Sequence, residues 1–93
     1  MKAIWQGHVL ATSNHVIVMG GQHYFPMESV RTGFLVPSNR RSRNDWRGER
    51  HYFHLRTDDL EVMDAAWSFP APVEDAAALS GYIAFGEDVI IGH

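Results

Sequence analysis

Six arginines mixed with aromatic residues form the part of the sequence best suited to chemistry. They are Arg40, Arg41, Arg43, Arg47, Arg50 and Arg56. A guanidinium group presents a planar, fixed set of N–H donors that matches the oxygens of phosphates and carboxylates, and it stays charged when partly desolvated. The run therefore predicts a site for a small anion.

Trp46, Arg47 and Gly48 are adjacent near the middle of this run. An aromatic wall, a charged fork and a residue that allows close backbone approach suit an anionic ligand that contains a ring, such as a nucleotide. The alternative is that Trp46 caps the core, Gly48 forms a turn and the arginines are solvated in a loop. The predicted ligand-binding residues are Tyr24, Ser38, Asn44, Trp46, Arg47, Tyr52, Asp64 and Trp67.

Asp64 is the acid whose position best fits a catalytic role, because it stands alone shortly before a predicted ligand-binding tryptophan. The pairs Asp58-Asp59 and Glu87-Asp88 fall at predicted turns, where carboxylates normally face water. Asp64 is therefore the candidate acid–base or metal-binding group of an enzyme acting on a nucleotide or phosphorylated substrate. It could equally cap the turn that follows it. No Ser-His-Asp or paired-glutamate spacing can be assigned, so the sequence leaves enzymatic activity open.

The six histidines do not form a recognisable metal motif. His51 and His54 lie on a predicted strand, where a separation of three residues points the two rings to opposite faces. The sequence also lacks the cysteines and the His-x-x-x-His helix of common zinc sites. We predict no metal site and no cofactor.

The composition is that of an ordinary globular domain. Hydrophobic residues make up 45% and charged residues 20% of the 93 residues, so we predict a single domain spanning residues 1–93. The absence of cysteine excludes disulfides, thiolate zinc sites and cysteine nucleophiles, and it is compatible with a reducing cytoplasm. No apolar run approaches the length of a membrane span, so we predict a cytoplasmic protein with no membrane partner.

Charge is segregated along the chain, because no lysine or arginine follows Arg56 while the acids continue to Asp88. The two halves could carry separate positive and negative surfaces, or they could pair and cancel. The net charge of −3 and the pI of about 6.0 argue against a dedicated nucleic-acid partner. A short all-β chain often needs a partner for an exposed sheet edge, so a protein-interaction module, including a homodimer through such an edge, is a further alternative.

Short β-rich segments separated by turn residues run through the sequence. The clearest is residues 50–56, where polar and apolar side chains alternate and Arg50 shares a face with Tyr52. Residues 82–85 and 89–91 read as a final hairpin, and residues 39–48 as an exposed loop. Single helical turns are predicted near residues 26–31 and 73–79. The pattern predicts an all-β, mainly antiparallel fold of the roll or barrel-like type.

The hydrophobic pattern also predicts which side chains fill the core. They are Trp5, Val16, Val18, Phe25, Phe34, Leu35, Phe53, Leu55, Trp67, Tyr82, Phe85 and Ile90.

Three signatures in order carry a resemblance to a known family. They are Tyr24-Phe25-Pro26, Trp46-Arg47-Gly48 followed by Tyr52, and Ala65-Ala66-Trp67 followed by Pro70 and Pro72. The chain resembles a family of small, mostly bacterial domains of unknown function that is catalogued under a nucleotidyltransferase-like label. The resemblance covers nearly the whole chain and implies a compact antiparallel β domain, similar in outline to the β-tent fold of some small zinc proteins.

One segment departs from the family pattern. Members often carry a Cys-Pro pair before a Trp-Lys-Gly signature, whereas this chain has Asn44-Asp45 and places Arg47 where lysine is common. If the cysteine is essential to a family chemistry, this chain cannot share it. If it only shapes the loop, asparagine replaces it, because asparagine readily adopts turn conformations.

Overall fold

Nine β-strands form two antiparallel sheets in the computed structural model, which describes residues 1–93. In chain order the strands are β1 Lys2–Trp5, β2 His8–Thr12, β3 Ile17–Met19, β4 Gln22–Pro26, β5 Leu35–Asn44, β6 Gly48–Arg56, β7 Glu61–Ser68, β8 Tyr82–Phe85 and β9 Ile90–Gly92. Short 3₁₀ turns lie at Met27–Ser29, Thr32–Phe34 and Glu74–Leu79. The predicted all-β, antiparallel class with short helical turns is confirmed. None of these helical turns is long and apolar enough to cross a membrane.

The smaller sheet has the strand order β2-β1-β9, and the larger has the order β3-β4-β8-β7-β6-β5. β1 and β2 form a hairpin around Gln6 and Gly7, whose φ angles are 50° and 77°. Two consecutive positive φ angles are typical of a two-residue turn that matches the twist of the strands. The predicted hairpin of β8 and β9 is wrong, since β8 pairs with β4 and β7 whereas β9 pairs with β1 in the other sheet.

The main core joins the two sheets. Its largest fully buried members include Trp5 and Leu10 from the smaller sheet and Phe25, Leu55 and Ile83 from the larger. Successive side chains of a strand point to opposite faces of its sheet, and those on the facing sides of the two sheets form this shared layer.

Two predicted core residues lie on the surface instead. Val18 is 60% exposed and Ile90 is 70% exposed. Both lie on three-residue strands at the edges of their sheets. A β-branched side chain on a short edge strand can face water, and the hydrophobic pattern alone does not reveal this.

The larger sheet carries a second apolar cluster on its other face. Register places Tyr52, Trp67, Ala84 and Tyr24 in one row across four strands. Phe69, Ala76 and Leu79 complete this cluster beside the row. The row and Phe69 form an aromatic floor beneath two arginines, Arg40 and Arg50.

The predicted loop at residues 39–48 is largely strand. β5 continues to Asn44 and pairs with β6, with Arg41 opposite His51 and Ser42 opposite Arg50. β5 is an edge strand whose second half is polar on both faces, so it lacks the hydrophobic alternation by which strands are recognised. Only residues 45–47 form the turn.

Both neighbours of β6 bulge, with three residues opposite one residue of β6 in each case. On β5, Ser38, Asn39 and Arg40 stand opposite the single residue Tyr52. On β7, the three residues 63–65 stand opposite His54 alone. Extra residues bend a strand and redirect its side chains. The two bulges thereby bring side chains of β5 and β7 together across the strand that separates them.

Gly48 is required where β6 begins. Its φ is +124°, and a Cβ there would lie 3.1 Å from the Ala71 carbonyl oxygen and 3.2 Å from Cα of Pro72. We expect Gly48→Ala to lower the free energy of unfolding by about 1–3 kcal/mol, through backbone strain and the contact with fixed backbone. Chemical denaturation measures this.

Gly33→Ala is the matched control, because its Cβ would meet nothing within 4 Å and its φ is not positive. We expect this change to stay within about 0.5 kcal/mol of wild type. Equal losses in the two variants would show that the close approach at Gly48 is unimportant.

Candidate ligand-binding site

A hydrogen bond between the two bulges begins the site. The hydroxyl of Ser38 donates to Oδ1 of Asp64 over 2.6 Å, and the Ser38 oxygen accepts the backbone N–H of Arg40 at 3.0 Å. Nη1 of Arg40 lies 3.6 Å from the other carboxylate oxygen of Asp64. Ser38 is buried and Asp64 is only partly exposed. The Asp64 carboxylate is therefore held by two partners, Ser38 and Arg40, in a partly desolvated position.

The backbone at Asp64 fixes the state of a neighbouring imidazole. Asp64 has a φ of 53°, and its N–H donates to Nδ1 of His54 over 3.0 Å. Nδ1 must therefore accept, which leaves the ring neutral with its proton on Nε2. The 3.6 Å approach between this nitrogen and the Asp64 carboxylate is accordingly not a hydrogen bond.

Tyr52 lies at the centre of the polar contacts. Its hydroxyl is 3.0 Å from Oγ of Ser42 and accepts from Nη1 of Arg50 at 3.3 Å. The guanidinium carbon of Arg40 lies 4.9 Å from the centre of the Tyr52 ring, and that of Arg50 lies 5.7 Å from it. One aromatic ring thus contacts two cations.

Burial acts to raise the pKa of the Tyr52 hydroxyl, whereas hydrogen bonds with Ser42 and Arg50 act to lower it. The positive charges of Arg50 and Arg40 lower it further, and the net result is a pKa below the ordinary value of 10.0. The hydrogen bonds and the two nearby guanidinium charges together outweigh the effect of burial at this hydroxyl.

Arg50 is stacked on the aromatic floor. Its guanidinium carbon is 4.4 Å from the centre of the Trp67 ring and 5.7 Å from that of Phe69. The Nε of Arg50 and the Nε1 of Trp67 are both buried and have no hydrogen-bond acceptor. Buried N–H groups without an acceptor are uncommon in folded proteins and are costly.

The structure brings four of the predicted site residues together on β5, β6 and β7. They are Ser38, Tyr52, Asp64 and Trp67. Tyr24 belongs to the same row but is buried, with its ring 6.3 Å from that of Phe69. Tyr24 is therefore a buried part of the aromatic floor and is not open to a ligand in this conformation.

The other three predicted residues lie at the tip of the β5–β6 hairpin. Oδ1 of Asn44 accepts the N–H of Trp46 at 2.9 Å and shapes the turn. Trp46 projects from it with 81% of its surface exposed.

Arg47 points away from Trp46. Its guanidinium lies against Gly20 in the β3–β4 turn, close enough to clash with a Cβ at that position. Its carbonyl accepts the N–H of Val73 at 2.8 Å. These contacts tie the hairpin tip to two other segments, and the guanidinium does not join the cluster around Tyr52.

Arg40, Ser42 and Arg50 belong to the observed cluster but are not among the eight predicted ligand-binding residues, although both arginines fall in the run that predicted an anion site. The alternation of residues 50–56 placed Arg50 on the same face as Tyr52, so a signal for it existed. Arg40 and Ser42 lie in the segment that was predicted as a loop, and the bulge that aims Arg40 at Tyr52 leaves no pattern in the sequence.

Two surface cavities lie elsewhere. The larger, of about 490 Å³, is lined by His8, Gly33, Phe34, Arg56, Thr57 and Asp58. The smaller, of about 300 Å³, adjoins it along residues 56–61. We place the candidate site at the Tyr52 cluster instead, because ligand sites combine an apolar wall with convergent polar groups, whereas each cavity has one hydrophobic lining residue. No group of three or more histidine or carboxylate side chains is arranged to hold a metal ion.

The ionisation of Tyr52 gives a direct test of this geometry. We expect its hydroxyl to ionise below the ordinary tyrosine pKa of 10.0, since its pKa is lowered. Absorbance at alkaline pH measures this, and Tyr52→Phe should remove the early transition. Ser42→Ala should move the transition to higher pH, because it removes a hydrogen bond to the hydroxyl. Tyr82→Phe is the control and should leave the early transition in place.

The same pKa sets the sign of a stability effect. The folded state releases the Tyr52 proton at lower pH than the unfolded state does, so the contribution to stability is full above pH 10.0 and is lost as the pH falls through the folded pKa. A Tyr52 that ionises at or above pH 10.0, or one unaffected by Ser42→Ala, would contradict the arrangement described.

Comparison with known proteins adds one finding. A protein-family model described as a domain of unknown function (DUF427), and labelled NTP_transf_9, matches residues 1–91. No curated protein matches the chain.

Proposed function

The chain belongs to the DUF427 family of domains of unknown function, and we propose that it is a non-catalytic binding module for a small anionic ligand. The observation that carries the proposal is the pair of guanidinium groups, from Arg40 and Arg50, over the ring of Tyr52. Asp64 is the only carboxylate in contact with this pair, so the cluster keeps an excess of positive charge. A phosphate or carboxylate group is the complementary partner.

Arg40 is available to such a ligand. Its side chain is 60% exposed, and its 3.6 Å contact with Asp64 is a long ion pair in a solvated setting, which costs little to rearrange. Neighbouring Arg41 is engaged differently, since its Nη1 donates at 2.8 Å to the carbonyls of Ser38 and Arg40. Arg41 thus fixes the bulge, and the bulge positions Arg40.

The contacts of Asp64 favour binding over catalysis. Ser38 donates its proton to the carboxylate and not to an imidazole, and His54 uses Nδ1 to accept a backbone N–H. A serine nucleophile would instead need its hydroxyl within reach of the histidine that deprotonates it. The arrangement suits a carboxylate that positions Arg40.

An enzyme acting on a phosphorylated substrate through Asp64 remains the alternative, and turnover lost in Asp64→Asn would identify it.

A second candidate function is protein interaction through the hairpin tip, which the 81% exposure of Trp46 favours. The free edge of β5 is a poorer surface for pairing two copies. Arg41 donates to the carbonyls of Ser38 and Arg40 in this strand, and the positive charges of Arg40, Arg41 and Arg43 oppose pairing with an identical strand. A homodimer through another sheet edge stays a proposal.

We also propose a cytoplasmic location, which the lack of cysteine supports.

Thermal shift against inorganic phosphate, pyrophosphate, sugar phosphates and nucleotides tests the binding proposal. A ligand at a hundred times its dissociation constant adds about 2.7 kcal/mol, which raises the melting temperature by several degrees. We expect Arg40→Gln to abolish the shift while leaving the melting temperature of the free protein nearly unchanged, because its side chain is largely exposed.

Arg31→Gln is the matched control, since Arg31 is exposed and lies outside the cluster. It should retain the full shift. A wild-type protein that responds to no anion would refute the proposal, and so would an Arg40→Gln protein that responds as strongly as wild type.

A further inference from the structure

The face of Trp67 is covered by the chain's own guanidinium group. Arg50 stacks there at 4.4 Å and also approaches the rings of Tyr52 and Phe69. A guanidinium is planar, so the space it fills is a flat slot with the indole as one wall. Planar heteroaromatic rings stack on tryptophan in the same manner.

Two N–H donors of the stacked pair are unsatisfied. Trp67 is 8% exposed, and its Nε1 has no acceptor; the same is true of Nε in Arg50. Two buried N–H groups without acceptors destabilise the resting arrangement, since each gave up water without gaining a partner. An indole N–H lies in the plane of its ring, so an acceptor group that projects from the edge of a stacked ligand, and not the stacked ring face, recovers this hydrogen bond.

The contacts that hold Arg50 in place are also replaceable. Its one hydrogen bond is the 3.3 Å contact from Nη1 to the Tyr52 hydroxyl, which is long for this type of bond. Ser42 lies closer to the same hydroxyl, at 3.0 Å, and remains as a partner if Arg50 leaves.

We propose that the ligand carries a planar ring with a hydrogen-bond acceptor, that this ring replaces the Arg50 guanidinium on Trp67, and that Arg50 turns outward to join Arg40 on the ligand's anionic group. The inference rests on the proposed function and names its ligand class, an aromatic heterocycle joined to a phosphate or carboxylate. An external cation would fit the aromatic surfaces but would place a third positive charge beside Arg40 and the displaced Arg50. A neutral ring with an anionic tail avoids that repulsion.

The test compares ligands with and without a ring in the Trp46→Phe protein. This background removes the exposed indole, so that the remaining indoles belong to Trp67 and to Trp5, which is buried in the other cluster. Adenosine and uridine monophosphates are titrated beside ribose 5-phosphate, which has the phosphate without the base. Binding is measured by calorimetry, and the indole N–H resonances by NMR.

We expect at least one nucleotide to bind about 10-fold or more tightly than ribose 5-phosphate, the gain typical of stacking one base. The Trp67 indole N–H resonance should move with the nucleotide and stay in place with ribose 5-phosphate.

Trp67→Phe provides a second variant, which keeps an aromatic floor but lacks the N–H donor. It should reduce the preference for nucleotide over ribose 5-phosphate, and a cooperative melting transition checks that it folds. Equal affinities for the two ligand types with an unmoved indole resonance would overturn the ring inference and leave the anion site standing. The absence of binding by every phosphate would overturn both.

Discussion

The hydrogen bond from Ser38 to Asp64 is the contact on which the candidate site depends. It joins β5 to β7 across the intervening strand β6, and it is possible only because each outer strand bulges toward the other. A bulge exposes unpaired backbone, so each needs side chains to satisfy it. The Ser38 hydroxyl accepts one such N–H, and the Asp64 N–H finds an acceptor in His54. The two irregularities thus stabilise each other.

The positions of the Arg40 and Arg50 guanidinium groups follow from this backbone arrangement. The bulge in β5 carries Arg40 over Tyr52, while regular pairing in β6 brings Arg50 to the same ring from within its own strand. Asp64 restrains the first guanidinium, and the aromatic floor restrains the second. The cluster consequently combines two guanidinium groups, an apolar aromatic wall and N–H donors without acceptors. Together these groups suit the binding of an anionic ligand better than they suit proton transfer.

Regular pairing was visible in the sequence, whereas the irregularities were not. Alternation in residues 50–56 identified β6 and the shared face of Arg50 and Tyr52, and the family signatures pointed to Trp67. Nothing in the composition of residues 39–44 distinguishes a polar edge strand from a loop, and the bulge geometry depends on contacts made 26 residues away, between Ser38 and Asp64. Because Trp46 and Arg47 are adjacent in the sequence, they were predicted to act together in one site, but their side chains lie apart. The turn points one into solvent and the other onto Gly20.

The most direct test of the account is NMR of the arginine side-chain Nε–Hε resonances during titration with inorganic phosphate. We expect the signals of Arg40 and Arg50 to move together and to give one dissociation constant. Those of Arg31 and Arg43, which lie outside the cluster, should remain in place. Equal movement of all the exposed arginines would reduce the binding to nonspecific attraction, and no movement at Arg40 or Arg50 would contradict the assignment of this cluster as an anion site.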